Sequence, residues 1–335
     1  MSAFLGAAAR RHPPADVRHV GSVLALPLIL VLLAVGVASA DRPTAALRVS
    51  AADAARSGSL ITLMPHAVGG ATLLEVQPAT AASLLAVSAD GSQAALADQL
   101  AQLSGSLTIA RADGSQLRLQ LPGLLAAGFA VDGTWLAVVD GRGALWEVDA
   151  ATGDAALVAD GPFLGSPIAA ADGSLMLLSV SSVEAPVRSR LVRITPSNGA
   201  VTPLSADELV YAGFPLADGG LAVVAHEPGR TVVRRVAQGA SELLADLGPG
   251  AVNVAVARDG REIAYELPGR GIFLLDLPGA SPRSLGAGSQ PCFAADGASI
   301  LVRRGTGTAA LALDGSVVAA TERQAGLAGS AGCLP

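Results

Sequence analysis

An Asp-Gly pair followed by a short apolar strand occurs at Asp90, Asp132, Asp172, Asp218, Asp259 and Asp296, at intervals of 42, 40, 46, 41 and 37 residues. That period is the length of a four-stranded propeller blade and exceeds leucine-rich or tetratricopeptide repeats. The clearest copy, Phe129 to Asp160, reads as short strands separated by turns at Asp132-Gly133, Asp140 to Gly143 and Asp149 to Asp154. Asp132-Gly133 reads as a two-residue hairpin in which both central residues take positive φ. Counting from each Asp, the fourth and sixth following positions are apolar in all six copies, from Ala94 and Leu96 to Ile300 and Val302. Apolar residues two apart put one strand face against the neighbouring blade. The expected fold is therefore all-β, a β-propeller of six or seven blades, with almost no helix beyond the N-terminal region.

That region carries Arg10, Arg11 and Arg18 against Asp16, then 21 uncharged residues from Val20 to Ala40. Ala38-Ser39-Ala40 has the small side chains that a signal peptidase site requires. A run of that length also suffices to cross a bilayer, with the arginines holding its start in the cytoplasm. Two readings stand, a cleaved signal peptide and a retained membrane anchor, and both place everything after Asp41 outside the cytoplasm. The expected division is a basic segment (1–19), the signal or anchor helix (20–40), N-terminal strands completing the ring (41–83), propeller repeats (84–322) and a tail (323–335). Strands expected at Leu60 to Leu63 and Thr72 to Val76 supply the ring-completing part, with His66 in a turn between them.

With 51% apolar and only 15% charged residues, the chain has ample material for a core. All its cations are arginines apart from the histidines, and the net charge of −6 with no clustered basic stripe argues against a nucleic-acid partner. Two cysteines exclude a disulfide scaffold and a zinc ribbon. Cys292 and Cys333 either form one disulfide that staples the tail across the ring closure or remain a buried thiol and an unrelated tail thiol.

Ser88-Ala89-Asp90-Gly91, Arg258 to Tyr265 and Ile272 to Asp276 are similar to the WD40-like, TolB-type propeller repeat. In that family Ser-Pro-Asp-Gly precedes an Ile-Ala-Tyr-like strand and an Ile-Tyr-Val-Asp-like strand. The resemblance spans roughly residues 84 to 320 and implies the propeller fold. TolB itself works in the periplasm beside an outer-membrane lipoprotein. The family's proline is missing in every copy here, and its separate α/β domain has no counterpart before the repeats. The resemblance accordingly bears on fold rather than on that role.

Chemistry-bearing residues are sparse. Beyond the apolar run only His66 and His226 are imidazoles, and no Gly-x-Ser-x-Gly elbow or zinc-protease helix accompanies them. Gly141-Arg142-Gly143, Gly269-Arg270-Gly271 and Gly305-Thr306-Gly307 sit between strands and read as hairpin turns rather than phosphate cradles, because no helix N-terminus follows. Trp146, in a stretch similar to one repeat of quinone-dependent propeller dehydrogenases, reads as inter-blade core. Asp140, Glu184, Asp207, Glu208, Glu227 and Glu266 are the acids that a propeller lactonase would need to converge on a cation. Arg188, Arg190, Arg230, Arg270, Arg303 and Arg304 fall near loops joining second and third strands, where they form a cationic rim or stand singly in solvent. The candidate binding residues are His226, Glu227, Arg230, Arg270, Arg303 and Arg304, with no catalytic residue, metal or cofactor expected. The function this suggests is an exported or membrane-anchored, non-catalytic scaffold that binds a protein or small ligand at the propeller face. It meets the membrane through Val20 to Ala40 if that segment is retained. The alternative is a propeller enzyme, lactonase-like or quinone-dependent, with its site at the mouth of the axial channel.

Overall fold

The computed structural model describes residues 48–49, 62–68, 71–77, 83–97, 105–182, 187–206, 208–237, 240–279, 281–294, 297–321 and 325–327. Within them every regular element is a β-strand. The basic segment, the apolar run, Glu184, Asp207 and Cys333 lie outside the described residues, and no helix among those described is long and apolar enough to cross a membrane.

The N-terminal strands are β1 (Arg48–Val49), β2 (Thr62–Val68) and β3 (Ala71–Gln77). His66 lies inside β2, opposite Leu73, and not in a turn. The first repeat is β4 (Ser83–Val87), β5 (Gln93–Ala97), β6 (Gly105–Arg111) and β7 (Gln116–Leu121). The second is β8 (Ala126–Phe129), β9 (Trp135–Val139), β10 (Leu145–Asp149) and β11 (Ala155–Ala159). The third is β12 (Phe163–Ala169), β13 (Leu175–Ser182), β14 (Arg188–Thr195) and β15 (Ala200–Pro203). The fourth is β16 (Leu209–Pro215), β17 (Leu221–Glu227), β18 (Arg230–Ala237) and β19 (Ala240–Asp246). The fifth is β20 (Val252–Val256), β21 (Glu262–Leu267), β22 (Gly271–Asp276) and β23 (Arg283–Gly286). The sixth is β24 (Ser289–Phe293), β25 (Ser299–Arg304), β26 (Gly307–Ala312) and β27 (Val317–Thr321), and β28 (Ala325–Leu327) follows.

Each repeat folds as an antiparallel meander in sequence order, so its turns alternate between the two ends of its sheet. β1 extends the second sheet by pairing with β11, and β28 pairs with β3 in a separate sheet of order β2-β3-β28. The chain is an all-β propeller.

Apolar interfaces join each repeat to the next. Leu107, Ile109 and Leu119 of the first sheet pack with Leu136, Val138 and Trp146 of the second. Val139 and Leu145 then meet Leu175 and Leu177 of the third. Met176 and Leu191 meet Val223 and Val232 of the fourth, and Val224 and Val233 meet Ile263 and Tyr265 of the fifth. Leu274 and Ile272 meet Ile300 and Val302 of the sixth. Burying both faces of the second and third strands in this way explains the high apolar content of the described repeats without any helix, while fourth strands such as β15 and β27 stay largely exposed.

Two further details differ from the sequence reading, and both come from the turns. In the first five Asp-Gly copies the glycine alone has positive φ, between 70° and 82°, and the aspartate does not. The glycine amide donates to the carbonyl three residues back, as in Gly133 N to Ala130 O at 3.0 Å. This is a type I turn closed by a left-handed glycine, with Asp in its second central position, rather than a two-residue type I′ hairpin. The aspartate contributes through its carboxylate. Oδ1 accepts the amide two residues on in all five copies, at 2.9–3.0 Å. Hydrogen bonds from Ser or Thr hydroxyls and these amides hold Asp90, Asp132 and Asp172 below the ordinary carboxylate range.

The second detail is parity. The strand after the turn is re-entered five residues on at Ser88, Ala130, Ala257 and Ala294, but four residues on at Ala170 and Leu216. One residue fewer flips every side chain of the next strand to the other face. Leu136, Val138, Ile263, Tyr265, Ile300 and Val302 accordingly face the preceding sheet, whereas Met176, Ala222 and Val224 face the following one. The apolar positions recur in all six copies, but they do not all serve the same interface.

Candidate functional site

The first strands of six repeats surround an axial cavity of about 600 Å³. It is lined by Leu85, Ala86 and Val87 of β4, Ala127 to Phe129 of β8, Ser166 to Ala169 of β12, Phe214 and Pro215 of β16, Ala255 and Val256 of β20, and Phe293 of β24. Residues of the adjoining first-to-second-strand turns, including Ala89, Val131, Ala171, Gly219 and Arg258, complete its wall. The cavity therefore opens on the face that carries the Asp-Gly turns. Close approach at the axis is possible because Gly128 has no side chain: a Cβ there would fall inside the van der Waals envelope of the Pro167 carbonyl oxygen.

Among the described residues, the side-chain chemistry of the lining is the hydroxyl of Ser166 and the guanidiniums of Arg193 and Arg258, set among leucine, valine, isoleucine, phenylalanine and methionine side chains. Among the described residues that line it there is neither an acid nor a histidine. Arg193 projects from β14, and its charge helps hold Asp172 below the ordinary carboxylate range after the Ser174 hydrogen bonds have done so. Arg258 contributes its own carbonyl to a bond from Ala217 N at 2.7 Å. The six aspartates are preceded by Ala89, Val131, Ala171, Ala217, Arg258 and Ala295, so Arg258 is the one charged residue at that repeat position. Sequence reasoning missed both arginines, and this departure from the repeat is the signal that would have found the second.

The sequence-nominated residues lie elsewhere. His226, Glu227 and Arg230 close the β17–β18 hairpin, at the opposite end of the fourth sheet from its Asp-Gly turn. Glu227 bridges Arg234 and Arg230, and Arg230 reaches Asp246 on β19 at 2.9 Å. These pairs are exposed to solvent, whose screening leaves them little to contribute to stability. The Arg234 and Arg230 hydrogen bonds hold the Glu227 carboxyl below its ordinary range. His226 stacks on Tyr211 with ring centroids 4.5 Å apart, and its Nδ1 lies 3.0 Å from Thr231 Oγ1. The Thr231 hydroxyl proton goes to Ala251 O at 2.8 Å, so His226 Nδ1 carries the hydrogen in the bond between them. Arg270 lies over the Phe273 ring at 5.3 Å, Arg303 Nε donates to Gly305 O, and Arg304 Nε donates to Ala287 O at 2.9 Å. The six nominated residues thus occupy three different hairpins, each with local partners.

Burial lowers the pKa of His226. The unfolded chain therefore takes up a proton more readily than the folded one below the reference value of about 6.5. The contribution is fully present above that pH and is lost as pH falls toward the depressed folded value. Denaturation at about pH 7.5 and about pH 5.5 is expected to show the wild type losing stability on acidification and His226→Phe losing less. Equal losses in the two proteins would contradict the burial of the neutral ring.

The other candidate acids are structural or dispersed. Asp140, 1% exposed, accepts the amides of Arg142 and Ala144 at 2.8 and 2.9 Å and Trp146 Nε1 at 3.0 Å. Glu208 pairs through its backbone with Ser189, and Glu266 accepts Asn253 Nδ2 at 2.7 Å and Gln290 N at 3.1 Å. Among the described residues no group of three or more His, Cys, Asp and Glu side chains is gathered as a metal ion would require. Cys292 is disulfide-bonded, and Cys333 is the chain's other cysteine.

No protein-family model matches the chain, and no curated protein matches it by sequence. Solved structures do. TolB from Acinetobacter baumannii superposes with a TM-score of 0.51 at 18% identity, over 70% of this chain and 61% of that one. The chain thus spans less than two thirds of TolB's length. An oligogalacturonate lyase in complex with manganese gives a TM-score of 0.56 at 14% identity, covering 81% of this chain and 84% of the other. The Cps50 (Swd1) β-propeller domain of Myceliophteria thermophila gives 0.51 at 13% identity, over 78% and 89%. At these identities the likeness is one of fold.

Proposed function

We propose that this chain is an exported, non-catalytic β-propeller that binds a ligand or partner outside the cytoplasm, at the axis of a seven-sheet ring closed by β2, β3 and β28. The observation that carries the reading is the axial cavity, whose wall, among the described residues, is apolar and cationic and offers no acid or imidazole to serve as a general base. The basic N-terminal segment followed by 21 uncharged residues supports export, as does a disulfide at Cys292, which persists in an oxidising compartment. Pairing of Cys292 with Cys333 would close a loop of about 40 residues and stabilise the ring by roughly 4 kcal/mol. The opposite face, with His226, Glu227, Arg230, Arg270, Arg303 and Arg304, is proposed as a surface for a protein partner.

The test uses protein beginning at Asp41. It is incubated with oligogalacturonate and manganese, and separately with aldonolactones, following the absorbance of unsaturated product and the release of acid. No turnover above the protein-free rate is expected. Turnover that survives purification and disappears in His226→Ala or Glu227→Gln would overturn the proposal in favour of an enzyme.

A further inference from the structure

We infer that the axial cavity binds an amphipathic organic monoanion, its apolar body among Phe129, Phe214 and Phe293 and its carboxylate between Arg193 and Arg258. The inference deepens the proposed function and rests on its reading of the axis as the binding site. Three observations carry it. The volume, about 600 Å³, falls within the range that encloses a small organic ligand. Most of the described wall is aromatic and aliphatic, so an apolar body entering it is removed from water. Among the described residues of the wall the two ionised groups are both guanidiniums, with no described lining acid beside them.

The partners of the arginines sharpen the point. Arg230, Arg234, Arg235 and Arg283 are held in ion pairs with Glu227, Asp246, Asp218 or Asp276. Neither Arg193 nor Arg258 has a side-chain hydrogen bond or ion pair within 4.0 Å among the described residues, although each follows the repeat into a region rich in aspartate. Asp172, the acid whose titration Arg193 influences, already accepts the Ser174 amide at 3.0 Å and hydroxyl at 2.6 Å. Arg193 and Arg258 are both exposed to solvent yet line the same apolar cavity, and guanidiniums so placed suit a carboxylate, which takes paired N–H bonds, and disfavour a cation.

Isothermal titration of the Asp41-start protein with laurate, dodecanol and dodecyltrimethylammonium, all below their micellar concentrations, tests the inference. Laurate is expected to bind saturably, dodecanol more weakly, and the cation not at all. In the double variant Arg193→Gln/Arg258→Gln the laurate affinity should fall at least about tenfold while dodecanol is unchanged. Arg193→Lys/Arg258→Lys should recover part of the loss. Raising ionic strength from about 0.02 M to about 0.3 M should weaken laurate alone. Val131, 56% exposed in the wall, can be enlarged without disturbing the core, so Val131→Trp should abolish binding of both neutral and anionic probes. Equal binding of all three probes, or laurate binding indifferent to the arginine changes, would overturn the anion specificity and leave the non-catalytic reading to the turnover assay. Absence of binding to the wild type, or binding that Val131→Trp leaves intact, would overturn the cavity as the site.

Discussion

Replacing Gly128 by alanine is expected to destabilise the protein by more than about 3 kcal/mol, or to prevent accumulation of soluble chain, although only one methyl group is added. Gly128 sits on β8 at the axis, where the added Cβ would overlap the backbone carbonyl oxygen of Pro167 on β12. A backbone atom cannot rotate away as a side chain can, so relief requires the second and third sheets to separate at the hub. Separation would open the interface of Val139, Leu145, Leu175 and Leu177 that holds them together. Gly114→Ala is the control. Gly114 also has a demanding backbone, with φ of 83°, but nothing lies within 4 Å of a Cβ there. That change should cost only about 1 kcal/mol, from left-handed strain alone. Urea denaturation of the two variants separates crowding at the axis from ordinary glycine strain, and similar losses would contradict the close approach of the two sheets.

Asp140→Ala should be the other severe substitution, costing about 3–4 kcal/mol. The carboxylate is buried and receives three N–H groups, one of them from the indole of Trp146. Truncation leaves those donors without an acceptor in a core made by the first two sheets. Asp132→Ala, at an exposed aspartate with the same turn-capping bond to the amide two residues on, should cost clearly less. Trp146 reports the difference directly, because its emission should shift to the red in Asp140→Ala and stay put in Asp132→Ala. If the two substitutions cost the same, Asp140 is not the tie between turn and indole that the hydrogen bonds describe.

Asp140 also illustrates what the sequence could and could not disclose. Its neighbourhood, Asp-Gly-Arg-Gly before a strand, was readable as a hairpin because turn chemistry is local. Its partner Trp146, six residues on, was readable as core, but an acid beside a turn looks the same whether it faces solvent or an indole. The repeat itself was legible for the same local reason, since each Asp-Gly pair announces the next strand. Turn type was not, because Asp tolerates both a left-handed and a right-handed backbone, and only the hydrogen bonding decides. Parity was hidden in Leu175 to Leu178 and Leu221 to Ala225, where continuous apolar residues show no alternation. A shortened turn therefore reversed the faces of β13 and β17 without leaving a trace in the pattern.

The cavity was out of reach for a different reason. It is assembled from strands some forty residues apart, and most of its wall is small or apolar residues such as Ala127, Ala169 and Ala255, which look like any core residues. Arg193 lies near the end of the third strand of its sheet, and nothing in its neighbours Val192 and Ile194 says that it lines the cavity. The residues that did attract attention, from His226 to Arg304, sit at hairpin ends because charged residues collect there for solvation, whether or not a ligand follows.

The most direct test of recognition at the axis is the position of a bromine atom in crystals grown with 12-bromododecanoate. Anomalous scattering should place the bromine among Phe129, Phe214 and Phe293, with the carboxylate toward Arg193 and Arg258. A bromine site on the outer strands or at the hairpin face, with the axial cavity holding only solvent, would contradict the account.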